Sequence, residues 1–545
     1  MEAVDGVSLC VGSTDDPVRE STVGSVLREA AARAGSAPAV AAWGMLPGER
    51  RTWTYAELLR AAEHTAQALL THFEPGEHIA VYAPNSAEWL LLELGAGLAG
   101  LVLVTVNPAY RAKELQYVLG QSRSIGVFHT RQFRGNPLEQ WVEETRPGLP
   151  QLRHAFVIED WETFLDSATA GIELPEVTPD HPAQIQYTSG TTGNPKGALL
   201  NHRGLTNNSR YYAQLIRLQE GEVYGHAMPF FHTAGCVMAT LGTIQARATH
   251  AFLPAFDPAR LLELIEKERG AAMLGVPTMM IAMMEHPDFS RRDLSSLRVA
   301  VAGGASVPPE IVRAIEAKLG VTFSIVYGQT EACPLITMTR LDDAMEEKAN
   351  TIGQPMPQCE VKIADPMTGE PMPLGAIGEI CTRGYMVMQE YFEKPEATAT
   401  TVDRDGWLHT GDLGTMDARG YCRVTGRLKD MVIRGGENLF PAEIESALIE
   451  HPSVTEVAVI GVPDPRMGEE LVAFIRVAGD VKPDIDVLRQ HVRQRLAAPK
   501  TPRYWVFLPE FPLTGSGKIQ KFVLRERWGQ GEYDAVDSSH RGLLR

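Results

Sequence analysis

The sequence predicts an α/β protein of more than one domain, and three observations carry that expectation. The chain has 545 residues, more than one hydrophobic core usually organises. From about residue 50 to about residue 330, short apolar runs alternate with helical patterns, the texture of crossover units and parallel sheets. From about 350 to about 425 the texture changes to short strands and turns, and a second α/β pattern begins after Gly426-Arg427-Leu428-Lys429-Asp430.

Each element has its own reason. His78 to Tyr82 is a short apolar run of strand length. The most apolar stretch, Leu90 to Val106, contains Glu93, Gly95, Gly97 and Gly100, so it falls short of a membrane span. It reads as a buried helix that passes through glycine into a strand, Leu101 to Val106. Strands follow at Ala271 to Val276 and Leu297 to Val301, with helices at Pro258 to Glu268 and Pro309 to Leu319. Gly378 to Gly384 and Gly420 to Val424 belong to an antiparallel, barrel-like piece. The last part offers a helix at Pro441 to Ile449, a strand at Val454 to Ile460, a helix near Ile485 to Leu496 and a strand at Tyr504 to Leu508. The domain boundary is therefore expected near residue 428, giving domains 1–427 and 428–545. No internal repeat or low-complexity stretch interrupts them.

Composition narrows the partners. A formal net charge of −17 argues against nucleic acid or an anionic membrane, though local positive loops can still take an anionic substrate. The six cysteines (Cys10, Cys236, Cys333, Cys359, Cys381, Cys422) are scattered, without metal-ligand spacing or a disulfide framework. The acidic N-terminus lacks a basic-then-apolar signal pattern. A cytoplasmic protein with no integral membrane segment is expected.

The strongest chemical signal is Tyr187-Thr188-Ser189-Gly190-Thr191-Thr192-Gly193-Asn194-Pro195-Lys196-Gly197. Glycines let several N–H groups converge on one point, and such concavities attract anions. The Thr/Ser hydroxyls add donors, and Lys196 adds a mobile positive charge. This is chemistry for a polyphosphate. It is not the usual P-loop, which needs a hydroxyl directly after the lysine; here Gly197 follows it. Gly515-Ser516-Gly517-Lys518 fails the same pattern, with Ile519 in place of the hydroxyl and Pro512 in place of the first glycine.

Four further clusters accompany the loop. Phe230-Phe231-His232-Thr233-Ala234-Gly235 sets a histidine behind two aromatics, and Tyr327-Gly328-Gln329-Thr330-Glu331 gathers an aromatic face, a hydroxyl and a carboxylate. Gly411-Asp412 and Gly426-Arg427-Leu428-Lys429-Asp430 supply an acid, a base and a hinge candidate. Leu513-Thr514-Gly515-Ser516-Gly517-Lys518 presents one lysine on a glycine-rich turn. Singly, each has a structural explanation; their order is what carries the argument.

In that order they resemble the adenylate-forming superfamily of AMP-dependent synthetases and ligases, over roughly residues 25 to 525. Within it the chain looks most like the medium- to long-chain fatty acyl-CoA synthetases, on Tyr327 to Glu331 and Arg434-Gly435-Gly436-Glu437-Asn438. The resemblance implies a large N-terminal domain of two parallel α/β subdomains and a small barrel-like one, then a small mobile α+β domain. It implies that Thr188, Ser189, Gly190, Thr191, Thr192, Gly193 and Lys196 bind the β- and γ-phosphates of ATP. Gly303, Gly304 and Ala305 would wall the adenine, and Tyr327, followed by Gly328, would stack on it. Thr330 would reach the α-phosphate, Glu331 would hold Mg2+, and Asp412 and Arg427 would contact the ribose. Lys518 would stabilise attack of the substrate carboxylate on the α-phosphorus, and His232 would border the acyl site and thiol route. Lys429 would be the pivot about which the small domain turns, bringing Gly435 and Gly436 to the coenzyme A channel.

The acid itself is less legible. The region from Phe230 to Met238 lacks the aspartate with which related peptide-synthetase domains anchor an amino group. An apolar wall of Phe231, Val237, Met238, Val276, Pro277, Thr278, Met279, Leu335 and Ile336 suits an alkyl, alicyclic or aryl acid. Three functions stay open: an acyl-CoA ligase, an acyl-adenylate ligase that hands its product to a carrier protein or separate acyltransferase, and a non-catalytic nucleotide sensor. Lys518, Glu331 and Asp412 speak against the last, and no inserted segment between 330 and 426 marks the second. The expected small-molecule partners are the carboxylic acid, ATP and coenzyme A; a homodimer and an acyl carrier protein are the candidate macromolecular ones.

Overall fold

The computed structural model describes residues 2–46, 48–169, 171–188, 195–303, 309–435, 437–477, 483–513 and 519–538, with backbone alone at 5, 437 and 438. Two parallel-centred sheets dominate the N-terminal part. In the larger, nine-stranded sheet the central strands Thr322–Gly328, Val299–Gly303, Gly270–Gly275, Val223–His226, Thr249–Phe252 and Pro38–Trp43 run parallel in that spatial order. Antiparallel strands close its edges, Leu335–Met338 and Gln354–Pro355 on one side and Arg50–Thr54 on the other. The second, seven-stranded sheet runs in the order Glu390–Tyr391, Lys196–Asn201, Pro182–Thr188, Val102–Val106, His78–Tyr82, Gly126–His129 and His154–Val157. Its last five strands are parallel. Near-continuous apolar runs such as Val102–Val106 are buried on both faces, as strands covered by helices must be.

The apolar run around residue 90 folds as expected. Ser86 caps the helix Ala87–Ala99 by accepting the Trp89 N–H, and every helix residue except Glu88 is buried. Gly100 ends the helix at φ +68°, a left-handed conformation glycine adopts without a Cβ clash, and the chain turns directly into Val102–Val106. Helix starts at Pro258–Glu268 and Pro441–Ile449 agree with the expected residues, because proline at the first turn is compatible with a helix start and little else. Strand ends agree less well. Leu297–Val301 is observed as Val299–Gly303, Gly420–Val424 as Cys422–Arg427, and Val454–Ile460 extends to Asp464.

The strand-and-turn piece is a five-stranded antiparallel sheet, Leu9–Val11, Cys359–Ala364, Gly378–Gly384, Leu408–Met416 and Cys422–Arg427. The C-terminal part is a mixed sheet with helices Pro441–Ile449, Ile485–Arg493 and Lys521–Gly529. Its long hairpin, Val454–Asp464 with Gly468–Val477, sorts side chains by parity. Val459, Leu471, Ala473 and Ile475 enter one core; Ala458, Ile460, Val462, Val472 and Phe474 enter the other. Among the described residues no helix is long and apolar enough to cross a membrane.

Candidate active site

Three groups of site residues lie at the carboxyl ends of parallel strands, where open α/β sheets bind ligands. Thr188 ends Pro182–Thr188, Gly303 ends Val299–Gly303, and Tyr327 and Gly328 end the neighbouring Thr322–Gly328. At Gly303 an added Cβ would lie 2.5 Å from Val326 Cγ2 and 2.6 Å from the Val326 carbonyl oxygen. The adjacent strand itself therefore demands glycine there. Gly304 and Ala305 lie outside the described residues, as do Ser189, Gly190, Thr191, Thr192 and Gly193 of the loop.

The loop's two ends are fixed although its middle is not described. Thr188 and Lys196 are register partners in the antiparallel hairpin that carries the loop, and the Thr188 hydroxyl reaches the Lys196 carbonyl at 3.4 Å. Beneath it, Gln184 and Gln186 share one face of their strand. The Gln184 amide donates to the Glu93 carboxyl at 2.9 Å, and Gln186 Nε2 lies 2.7 Å from Gln184 Oε1. Burial raises the Glu93 pKa well above the usual carboxylate range, which suits a neutral group inside an apolar helix layer.

Lys196 points over the face of Tyr391, its Nζ 4.5 Å from the ring centroid. Its pKa is lowered by burial and by the charge of Lys429, partly countered by Glu331. The Tyr391 hydroxyl donates to Glu331 Oε1 at 2.5 Å. Glu331 is 7% exposed, on the short turn Thr330–Ala332, and beside it Thr330 is half-buried. Among the described residues no lysine or arginine pairs directly with Glu331, so its carboxylate offers oxygen to a hard cation. That donor set fits Mg2+.

A second cluster is built around Tyr327 and Asp412. Tyr327 donates its hydroxyl to Asp412 Oδ2 at 2.9 Å, and Arg427 Nε reaches Asp412 Oδ1 at 2.8 Å. Asp412 and Arg427 are register partners on Leu408–Met416 and Cys422–Arg427. Burial and the Asp412 charge push the Tyr327 phenol well up, so it remains a donor. Just before Asp412 the same strand is tied to Glu379: Glu379 Oε1 accepts the Gly411 N–H at 2.9 Å and Oε2 lies 2.7 Å from His409 Nδ1. Glu379, Cys381 and His409 thus gather without the sequence spacing that would have announced them. The Cys381 sulfur and the Glu379 carboxylate raise the His409 pKa to about 10.

His232 is exposed at the mouth of the following buried segment Ala234–Leu241, its Nδ1 accepting the Ala234 N–H at 3.1 Å. Phe230 faces the other way, into Trp89 and Phe252. Of the expected acyl wall, Val237, Met238, Leu335 and Ile336 are buried in one core with Val276 and Met279 against it, while Thr278 is exposed. Lys429 is exposed on the turn Leu428–Asp430, and Asp430 pairs with Arg525 at 2.7 Å. Gly435 is exposed, and its N–H donates to Met467 at 2.8 Å; Gly436 and Lys518 lie outside the described residues. All six cysteines are buried and form no disulfide. Tyr391 is the residue sequence reasoning missed: its two-residue strand carries no periodicity, and no motif contains it.

This arrangement is that of an AMP-binding enzyme. Residues 27–392 match the AMP-binding enzyme family and residues 443–518 match its C-terminal domain, and the chain belongs to that family. It is similar to the YngI protein of Bacillus subtilis strain 168, 39% identical over 93% of this chain and 97% of that one. It is similar to the mitochondrial medium-chain acyl-CoA ligase of Rattus norvegicus, 36% identical over 97% of this chain and 91% of the relative. Among solved structures it superposes on ATP-bound MatB from Rhodopseudomonas palustris with a TM-score of 0.84, at 29% identity over 93% of this chain and 99% of that one.

Proposed function

We propose that this enzyme activates a hydrophobic carboxylic acid, of the fatty class, to an acyl-adenylate with release of pyrophosphate and then transfers the acyl group to coenzyme A. The observation that carries the reading is the division of labour between two clusters: Lys196 and Glu331 in one, Tyr327, Asp412 and Arg427 in the other. A lysine and a lone buried carboxylate suit a metal-bound polyphosphate, and an aromatic face beside an aspartate suits a nucleoside. The rat relative's name as a medium-chain acyl-CoA ligase and the ATP bound in the MatB structure support the same assignment.

In this reading the loop from Thr188 to Lys196 orients the β- and γ-phosphates so that pyrophosphate faces away from the incoming acid. Tyr327 stacks on adenine, and Asp412 accepts the ribose hydroxyls while Arg427 holds its carboxylate from behind. Thr330 hydrogen-bonds the α-phosphate. Glu331 would hold Mg2+, which when bound supplies charge neutralisation along the phosphates. Lys518 neutralises the charge gathered where the carboxylate oxygen attacks the α-phosphorus. In the second half-reaction the thiol attacks the acyl carbon and AMP leaves; His232, at the exposed edge of the acyl wall, borders that path. The boundary near residue 428, with Lys429 as pivot, lets domain 428–545 withdraw Lys518 and present Gly435 and Gly436 instead.

A panel of carboxylic acids assayed for AMP release tests this. Release should require both a hydrophobic acid and coenzyme A for multiple turnovers. Turnover with a carrier protein but not with coenzyme A would assign the acyl group to a different acceptor, and acid-independent release would end the reading.

A further inference from the structure

Tyr391 connects the two charged groups of the phosphate side, and it does so from a strand of only two residues. The segment is bonded to both. The Gln389 N–H donates to the Leu199 carbonyl at 2.9 Å and the Phe392 N–H to the Gly197 carbonyl at 2.8 Å, which zips it onto the strand that opens with Lys196. The Met388 N–H donates to the Glu331 carbonyl at 2.8 Å, which ties it to the turn at the end of the other sheet. Between these attachments Tyr391 is 5% exposed. Its ring face meets the Lys196 ammonium and its hydroxyl meets the Glu331 carboxylate.

We propose that Tyr391 is a positioning residue that keeps Lys196 and Glu331 apart and separately aimed, the lysine at phosphate and the carboxylate at the metal. Without a spacer, a half-buried lysine and a buried carboxylate this close would collapse into a direct ion pair and neutralise each other. The ring satisfies the ammonium electrostatically without taking a hydrogen bond from it, which leaves the N–H donors for a phosphate. The hydroxyl occupies Oε1, which orients the carboxylate and leaves Oε2 as the ligand atom. The inference rests on reading Glu331 as the metal-holding carboxylate.

The test is calorimetric ATP affinity measured with Mg2+ and with Mg2+ chelated, in the absence of acid so that no turnover occurs. The ratio of the two affinities is the metal coupling. Tyr391→Phe keeps the ring and loses the hydroxyl, so coupling should fall about three- to tenfold, the scale of one charge-assisted hydrogen bond acting through a neighbour, while metal-free affinity stays within about twofold. Tyr391→Leu frees Lys196 to pair with Glu331, so metal-free affinity should fall as well. Glu331→Gln is the reference. If it leaves the coupling unchanged, the assignment of Glu331 to the metal fails. If it lowers the coupling and Tyr391→Phe does not, Tyr391 has no positioning role. Equal behaviour of Tyr391→Phe and Tyr391→Leu in metal-free affinity would overturn the spacer argument.

Discussion

Asp412 serves two protein partners and, in the proposed reaction, a nucleotide, so its removal has a calculable cost in each capacity. Asp412→Ala leaves the Tyr327 hydroxyl without its acceptor at a position where Asp412 is 7% exposed. A lost bond to a charged acceptor with the donor left behind costs about 1.5–3 kcal/mol. The Arg427 side chain is 54% exposed, so water replaces the carboxylate and that half contributes about 0–1 kcal/mol. Together the alanine variant should lose about 1.5–4 kcal/mol against urea. Asp412→Asn keeps an oxygen for Tyr327 and should recover more than half of that loss. Nucleotide binding separates the second capacity. A carboxylate holding the ribose diol contributes about 1.5–3 kcal/mol per bond, or about 10- to 100-fold in Kd. Wild type should therefore prefer ATP over 2′-deoxy-ATP, and both variants should lose the preference. An unchanged unfolding midpoint in Asp412→Ala, or a preference for ATP that survives in both variants, would refute the argument.

Two other perturbations follow from the same geometry. Lys518→Ala should abolish pyrophosphate formation yet leave conversion of supplied acyl-adenylate to thioester largely intact, read by single-turnover assays; equal loss of both steps would remove the two-conformation account. His409 has its pKa raised to about 10 beside Cys381 and Glu379. Its charged pairing therefore stabilises the fold fully below about pH 6.5 and is lost as pH climbs toward about 10. The unfolding midpoint should fall across that window in wild type and fall less in His409→Gln; parallel curves would show that the pair does not contribute.

Much of this was legible in the chain because local chemistry left few options. Proline at the first turn located Pro258–Glu268, Pro309–Leu319 and Pro441–Ile449, and a strongly apolar run with glycine behind it located the helix-to-strand passage at Gly100. Strand ends were less legible because an apolar residue in a turn looks like one in a strand: Leu297 is buried before Val299–Gly303 begins. The site residues were visible one by one, but their partnerships were not. Tyr327 finds Asp412 85 residues later, and Glu379 finds His409 30 residues later. Tyr391 was invisible altogether, since a two-residue strand has no period and its importance lies wholly in what it stands between.

The most direct test of the central claim follows one oxygen atom. With a fatty acid labelled with 18O in its carboxylate, ATP and coenzyme A, attack of the carboxylate on the α-phosphorus must leave one labelled oxygen in AMP once the thiol has displaced it. The account predicts that label in AMP and none in pyrophosphate. Label in inorganic phosphate together with ADP, or unlabelled AMP, would contradict it.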